Sequence, residues 1–283
     1  MTSGPATSLA ARLRDIQHVA LDMDGTLYRG RTLFDWTLPF LGRLERICIG
    51  YTFLTNNSSR SARDYVEHLK GMGIRVSAEG IVTSATPTFD YLREEHAGVR
   101  RLFVLGTESL AREVVDCGFE VVDDDPEAVV VGFDDMLTHE RLSRAAYWIG
   151  RGLPFVATHP DRICPTDRPT LLVDCGAICA CLEAATGVAP EAVLGKPDPR
   201  MLSSVLERHD LAPRSLAMVG DRIYTDIEMA RRAGAFGVLV LSGEATRADA
   251  EASSEAIDLV APSLKEFGED LERARAGGSM PQS

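Results

Sequence analysis

The chain has 283 residues and a formal charge of −12, from 30 Lys+Arg against 42 Asp+Glu. Apolar residues at 45% and charged residues at 25% are ordinary for a globular protein and exclude disordered, collagen-like and low-complexity classes. The acidic balance leaves no footprint for nucleic acid or an anionic membrane. No stretch approaches the roughly 20 apolar residues that span a bilayer, and residues 1–14 carry no leader-like apolar region, so a cytoplasmic protein is expected.

Taken in chain order, short apolar runs alternate with helix-like stretches between a loose tail at each end. The first predicted strand, 19–21, runs into Asp22-Met23-Asp24-Gly25-Thr26. In extended chain, positions i and i+2 point the same way, so Asp22 and Asp24 can address one ligand. Paired carboxylates repel and call for a cation or a shared proton. Magnesium, which prefers hard oxygen ligands, suits them, although an Asp-rich turn reads the same way. Gly25 removes a side chain where backbone must approach something closely.

The next strand, 51–54, runs into Thr55-Asn56-Asn57-Ser58 ahead of a helix predicted over 61–70. A hydroxyl and backbone N–H groups at a helix start can hold an anion or simply cap the helix. Helices over 87–95 and 141–149 alternate with strands over 102–105, 128–132 and 155–157. Cys175, Cys179 and Cys181 follow in DCGAICACLEAATG, a segment that reads as a helix start. Cys175 and Cys179 share a helical face, but no CxxC pair or nearby His completes a zinc pattern, so they read as small buried residues in a reducing compartment. Lys196 stands in LGKPDP, either as a phosphate ligand or as an exposed lysine. A helix over 200–208 and a strand over 216–219 lead to Gly220-Asp221. Asp226 opens a helix predicted over 226–233, as a metal ligand, as a partner behind the ligands, or as a charge favoured by the helix dipole. A last strand covers 238–241. Repeated β-then-α units make the fold α/β with a mostly parallel sheet. In such sheets ligands bind beyond the carboxyl ends of strands, so the loops at 22, 55 and 221 are expected to converge.

LDMDGTLY, FLTNNS, GKPDP and GDRIYTDI stand in the order and context of the four motifs of the haloacid dehalogenase-like hydrolases, which the chain resembles. With VTSA, ATHPD and LEAATG and the long insert, it is similar to the NagD-like and para-nitrophenylphosphatase-like group over nearly its whole length. The resemblance implies a Rossmann-like doubly wound parallel-sheet core, residues 1–85 and 191–283, with an inserted α/β cap over 86–190. It also implies a Mg²⁺-dependent phosphomonoesterase acting on a small phosphorylated metabolite. Asp22 is then the nucleophile, forming an aspartyl-phosphate, and Asp24 the general acid and base. Asp22 and Asp221 supply carboxylate oxygens to the metal and Asp24 its backbone carbonyl, with Asp226 beside them.

Thr55, Asn56 and Lys196 bind the phosphoryl oxygens, with Gly25 and Asn57 in the same phosphate-binding set. The acid/base at Asp24 is absent from the members that cleave carbon–halogen bonds, so its presence favours ester hydrolysis. Relatives often read Thr-Asn-Pro-Asp where this chain has Thr158-His159-Pro160-Asp161, and Pro-Asp-Ala-Gly where it has Val173-Asp174-Cys175-Gly176. His159 is thus a candidate for cap specificity or for packing beneath the loop, and Asp174 for specificity or a helix N-cap. A homodimer through the cap follows by analogy. The alternatives are a phosphotransferase or phosphomutase on the same core, and a non-catalytic phosphometabolite sensor.

Overall fold

A computed structural model describes residues 8–164 and 170–277. The tails foreseen at the two ends lie mostly outside the described residues, although the last helix, Leu264–Arg275, runs further than the expected tail allows. The described residues form two compact units, one within 1–54, 72–74 and 202–283 and the other within 55–71 and 75–201. The second unit is wider than the insert expected over 86–190. It takes in the Thr55 loop with its following helix, and the chain through Lys196 to Met201.

The first unit is built on parallel strands in the order Leu259–Ala261, Phe236–Val240, Leu216–Gly220, His18–Asp22 and Gly50–Thr55. The central strands are apolar without interruption: Val19, Ala20 and Leu21, and Leu216 to Val219, have no exposed surface. Continuous burial marks strands covered on both faces. The Phe236–Val240 strand shows how. The Arg12 guanidinium of the first helix, Leu9–Asp15, lies over the Phe236 ring at 4.6 Å, while a side chain at Gly237 would touch Ile227 and Ala230. Neighbouring residues of a strand face opposite ways, so helical structure covers each side.

On the helical side, Phe40 of Thr37–Arg46 packs on Phe267 of Leu264–Arg275, ring centroids 6.0 Å apart. Burying each such phenyl side chain is worth about 1.5–3 kcal/mol. The helices predicted over 61–70, 87–95, 141–149 and 200–208 form as Ala62–Gly71, Ala85–Glu95, His139–Gly150 and Arg200–His209. The one predicted over 226–233 does not form in one piece. Ile223–Ile227 is a π-helical turn, and the α-helix, Glu228–Ala233, starts after it.

The second unit has its own parallel sheet, ordered Ala192–Val193, Phe155–Ala157, Ala128–Val131, Arg101–Leu105 and Glu120–Val121. Alternation sorts its side chains into two cores. Leu102, Val104, Ala128 and Val130 pack with Phe89, Leu92 and Leu110, whereas Phe103, Leu105, Val129 and Val131 pack with Ile149, Ile178 and Leu182. Helices therefore cover this sheet on both sides too. Among the described residues, no helix is long and apolar enough to cross a membrane.

Candidate active site

Asp22 ends the central strand of the first unit, where Leu21 is registered with Val219 and Asp22 with Leu54. Met23 is buried at 1% exposure, whereas Asp24 is exposed, the alternation expected of extended chain. The turn that follows is held by Leu27 N–H donating to Met23 O (2.8 Å) and Gly25 N–H to Tyr28 O (2.7 Å). Thr26 Oγ1 donates to Asp22 Oδ2 at 3.3 Å.

The neighbouring strand ends at Gly220, and Asp221 is 3% exposed. The carboxylates of Asp22, Asp221 and Asp226 each offer an oxygen within 4.8 Å of the others. Asp226 is brought there by the π-helical turn, and its Oδ2 accepts from Arg222 N–H at 3.1 Å. It therefore stands level with the other two carboxylates rather than behind them. The carboxylate of Asp24 is not a member of this trio.

Two glycines make room for the cluster. A side chain at Gly25 (φ +86°) or at Gly243 would run into the Asp221 carboxylate. The close approach anticipated at Gly25 is thus to Asp221. Beside it, Glu244 N–H donates to Asp221 Oδ2 at 2.6 Å.

Burial, followed by the charges of Asp22 and Asp226, pushes the Asp221 carboxyl up to about 7. Asp221 Oδ1 is buried without a hydrogen-bond partner. Three crowded oxygen donors with a buried acceptor left over are the chemistry of a hard-cation site. The residues present fit a divalent metal. The cysteines do not form a comparable group: Cys175 and Cys179 are buried 4.0 Å apart, and Cys181 is exposed. Among the described residues, only the aspartate trio has a metal-holding arrangement.

The other expected site residues lie in the second unit. Thr55 is buried, and its Oγ1 accepts from Asn57 N–H at 3.1 Å. The following helix is capped elsewhere, because Ser61 and Asp64 exchange hydrogen bonds, Ser61 N–H to Asp64 Oδ2 (2.9 Å) and Asp64 N–H to Ser61 Oγ (3.2 Å). Thr55 is therefore not that helix's N-cap. Asn57 is exposed, and its Oδ1 accepts from Ser59 N–H at 2.9 Å. Lys196 is not a surface lysine, being 2% exposed. A buried ammonium is costly unless anions surround it.

The Asn56 side chain spends its amide on the Lys196 main chain, with Oδ1 accepting from Lys196 N–H at 2.7 Å and Nδ2 donating to Lys196 O at 3.1 Å. The two candidates for cap specificity are buried. His159 has no exposed surface and Asp174 is 5% exposed. Asp174 caps the helix Cys175–Thr186, accepting from Cys175 N–H at 2.6 Å. Asp161, which no sequence motif singled out for a role, accepts from Asn56 Nδ2 at 3.2 Å. Its signal was its place in ATHPD.

The family described as haloacid dehalogenase-like hydrolase matches residues 19–120, and a related HAD-like hydrolase family matches residues 193–267. The 4-nitrophenylphosphatase of Thermotoga maritima superposes with a TM-score of 0.87 at 37% identity, over 91% of this chain and 98% of that one. A glycerol phosphate phosphatase of Mycobacterium tuberculosis, solved in complex with magnesium, gives 0.85 at 32% identity, over 98% of this chain and 82% of that one. An acid sugar phosphatase of Staphylococcus saprophyticus is 31% identical over 262 residues, covering 92% of this chain and all of that protein.

Proposed function

The chain belongs to the haloacid dehalogenase-like hydrolases and is a phosphatase of their NagD-like group, and from that premise we propose that it is a Mg²⁺-dependent phosphomonoesterase. Its substrates are small phosphorylated metabolites of the sugar phosphate, phosphoglycolate or nucleotide kind, cleaved through a phosphoryl group carried on Asp22. The observation that carries this reading is the trio Asp22, Asp221 and Asp226, gathered at the ends of two adjacent parallel strands. Relatives named for 4-nitrophenyl phosphate, glycerol phosphate and sugar phosphates support the substrate class.

Asp22, Asp221 and Asp226 are the residues that would hold magnesium, which when bound offsets the charge of the carboxylates and of the phosphate. An Asp22 carboxylate oxygen attacks phosphorus in line, and the ester oxygen leaves as the P–O bond breaks. The Asp24 carboxylic acid gives its proton to the leaving alkoxide. The resulting Asp24 carboxylate then takes a proton from the water that attacks phosphorus, which returns Asp22 and frees inorganic phosphate. Thr55 supplies a hydroxyl and Lys196 a positive charge to the phosphoryl oxygens, whose charge grows in the transition state. For Asn56 the role falls to the backbone N–H, because its side chain is engaged with Lys196.

Acid quench during turnover, followed by peptide mass spectrometry, tests the covalent step. One phosphoryl group on the peptide carrying Asp22 is expected. Full turnover with the group on another residue, or on none, contradicts it.

A further inference from the structure

The second unit contains a chain of polar contacts that runs from Asn56 into its interior. Asn56 Oδ1 accepts from Lys196 N–H, and Nδ2 donates both to Lys196 O and to Asp161 Oδ2. Both amide hydrogens are therefore committed. The same Asp161 oxygen lies 3.6 Å from Nδ1 of His159. The other ring nitrogen, Nε2, lies 3.3 Å from Ser58 Oγ and 3.5 Å from Asp174 Oδ1. His159 is fully buried, and its Nδ1 has no hydrogen-bond partner, so Asp161 is the nearby acceptor it faces. Ser58 Oγ is itself fixed, accepting from Phe133 N–H at 3.0 Å. The packing is close, because a side chain at Gly195 would come within 2.6 Å of both Asn56 Oδ1 and His159 Cβ.

A primary amide fits a slot of its shape either way round, and its neighbours decide which end faces where. An ionised carboxylate accepts and cannot donate, so Asp161 requires the NH₂ end of Asn56 on its side. That orientation leaves the carbonyl end for Lys196 N–H. We propose that Asp161, backed by the buried His159, is a positioning residue for phosphate binding: it fixes the orientation of Asn56, and Asn56 in turn fixes the main chain that carries Lys196. This rests on the reading of Lys196 as a phosphoryl ligand. The flexible Lys196 side chain then starts from an anchored backbone, which reduces the ordering cost of gripping an anion.

The test is the inhibition constant of inorganic phosphate against 4-nitrophenyl phosphate hydrolysis, read together with KM and kcat. Asp161→Ala removes the acceptor, and both the inhibition constant and KM are expected to rise about tenfold with kcat changing less than about threefold, the scale of one charge-assisted hydrogen bond. Asp161→Asn, whose amide oxygen can still accept, is expected to restore both to within about threefold of wild type. On a Lys196→Ala background, Asp161→Ala is expected to add nothing further, since it acts through Lys196. Should Asp161→Ala fail to fold, Asn56→Asp removes the same donors without changing shape and is expected to show the same loss.

Additive losses in the double variant, or wild-type constants in Asp161→Ala, overturn the proposal. Folded wild-type protein that neither binds phosphate nor hydrolyses phosphomonoesters overturns the proposed function itself, and the positioning role with it.

Discussion

Glu113 is a buried carboxyl whose surroundings make stability depend on pH. It belongs to the helix Glu108–Asp116, and its Oε1 accepts from the N–H of Ala62, the first residue of the helix Ala62–Gly71. Thr83 Oγ1 lies 3.3–3.4 Å from its two oxygens. Burial is the largest influence and pushes the carboxyl up from 4.5 to about 7, the hydrogen bonds from Ala62 and Thr83 opposing it. The folded protein therefore holds a proton on Glu113 at pH values where the unfolded chain has lost it. Stability falls as pH rises from about 4.5 to about 7 and stays low above that, because there the folded protein must keep a charge in a desolvated place.

The rise of about 2.5 pH units, at about 1.4 kcal/mol each, sets the cost at about 3–4 kcal/mol. Glu113→Gln keeps the shape and an acceptor for Ala62 but cannot ionise. Urea denaturation of both proteins from pH 4.5 to 8 is the assay. The variant is expected to match wild type near pH 4.5 and to exceed it by up to about 3–4 kcal/mol above pH 7. A difference that stays flat across this range would mean that Glu113 titrates alike in the folded and unfolded chain, contrary to its burial.

Two further perturbations read other parts of the structure. Gly243→Ala places a methyl group against the Asp221 carboxylate and is expected to weaken magnesium binding at least tenfold by isothermal titration, with the far-ultraviolet circular dichroism unchanged. Asp174→Ala removes the cap of the helix Cys175–Thr186 and is expected to cost about 1 kcal/mol in the same denaturation assay.

The parts of the molecule that the sequence made legible are those where chemistry and chain geometry coincide. Uninterrupted apolar runs such as 19–21 and 216–219 are recognisable because parallel strands are buried on both faces. The polar residues that follow them, Asp22 and Asp221, stand out because an apolar strand gives way abruptly to carboxylates. Thr37–Arg46 and Leu264–Arg275 were not foreseen. Their signal was there, since the buried positions 37, 40, 41 and 44, and 264, 267, 268 and 271, recur at helical spacing, and Phe40 packs on Phe267.

For Asp226 the sequence left open a ligand or a place behind the ligands, and local propensity could not reveal the π-helical turn that brings its carboxylate within 4.8 Å of Asp22 and Asp221. The burial of Lys196 and the turning inward of His159 depend on contacts across roughly a hundred residues of chain or more, such as Asn56 with Lys196 and Ser58 with His159. No spacing rule within a motif encodes such pairs. The same long-range contacts explain why the Thr55 loop and residues up to Met201 group with the second unit.

Hydrolysis of 4-nitrophenyl phosphate, followed with magnesium, with EDTA and in Asp22→Asn, tests metal-dependent phosphoryl transfer to Asp22. Turnover that requires magnesium, stops with EDTA and falls at least a thousandfold in the folded Asp22→Asn protein is the predicted result, since removing a covalent nucleophile removes the reaction path itself. Turnover that survives EDTA, or that persists in Asp22→Asn, would contradict it.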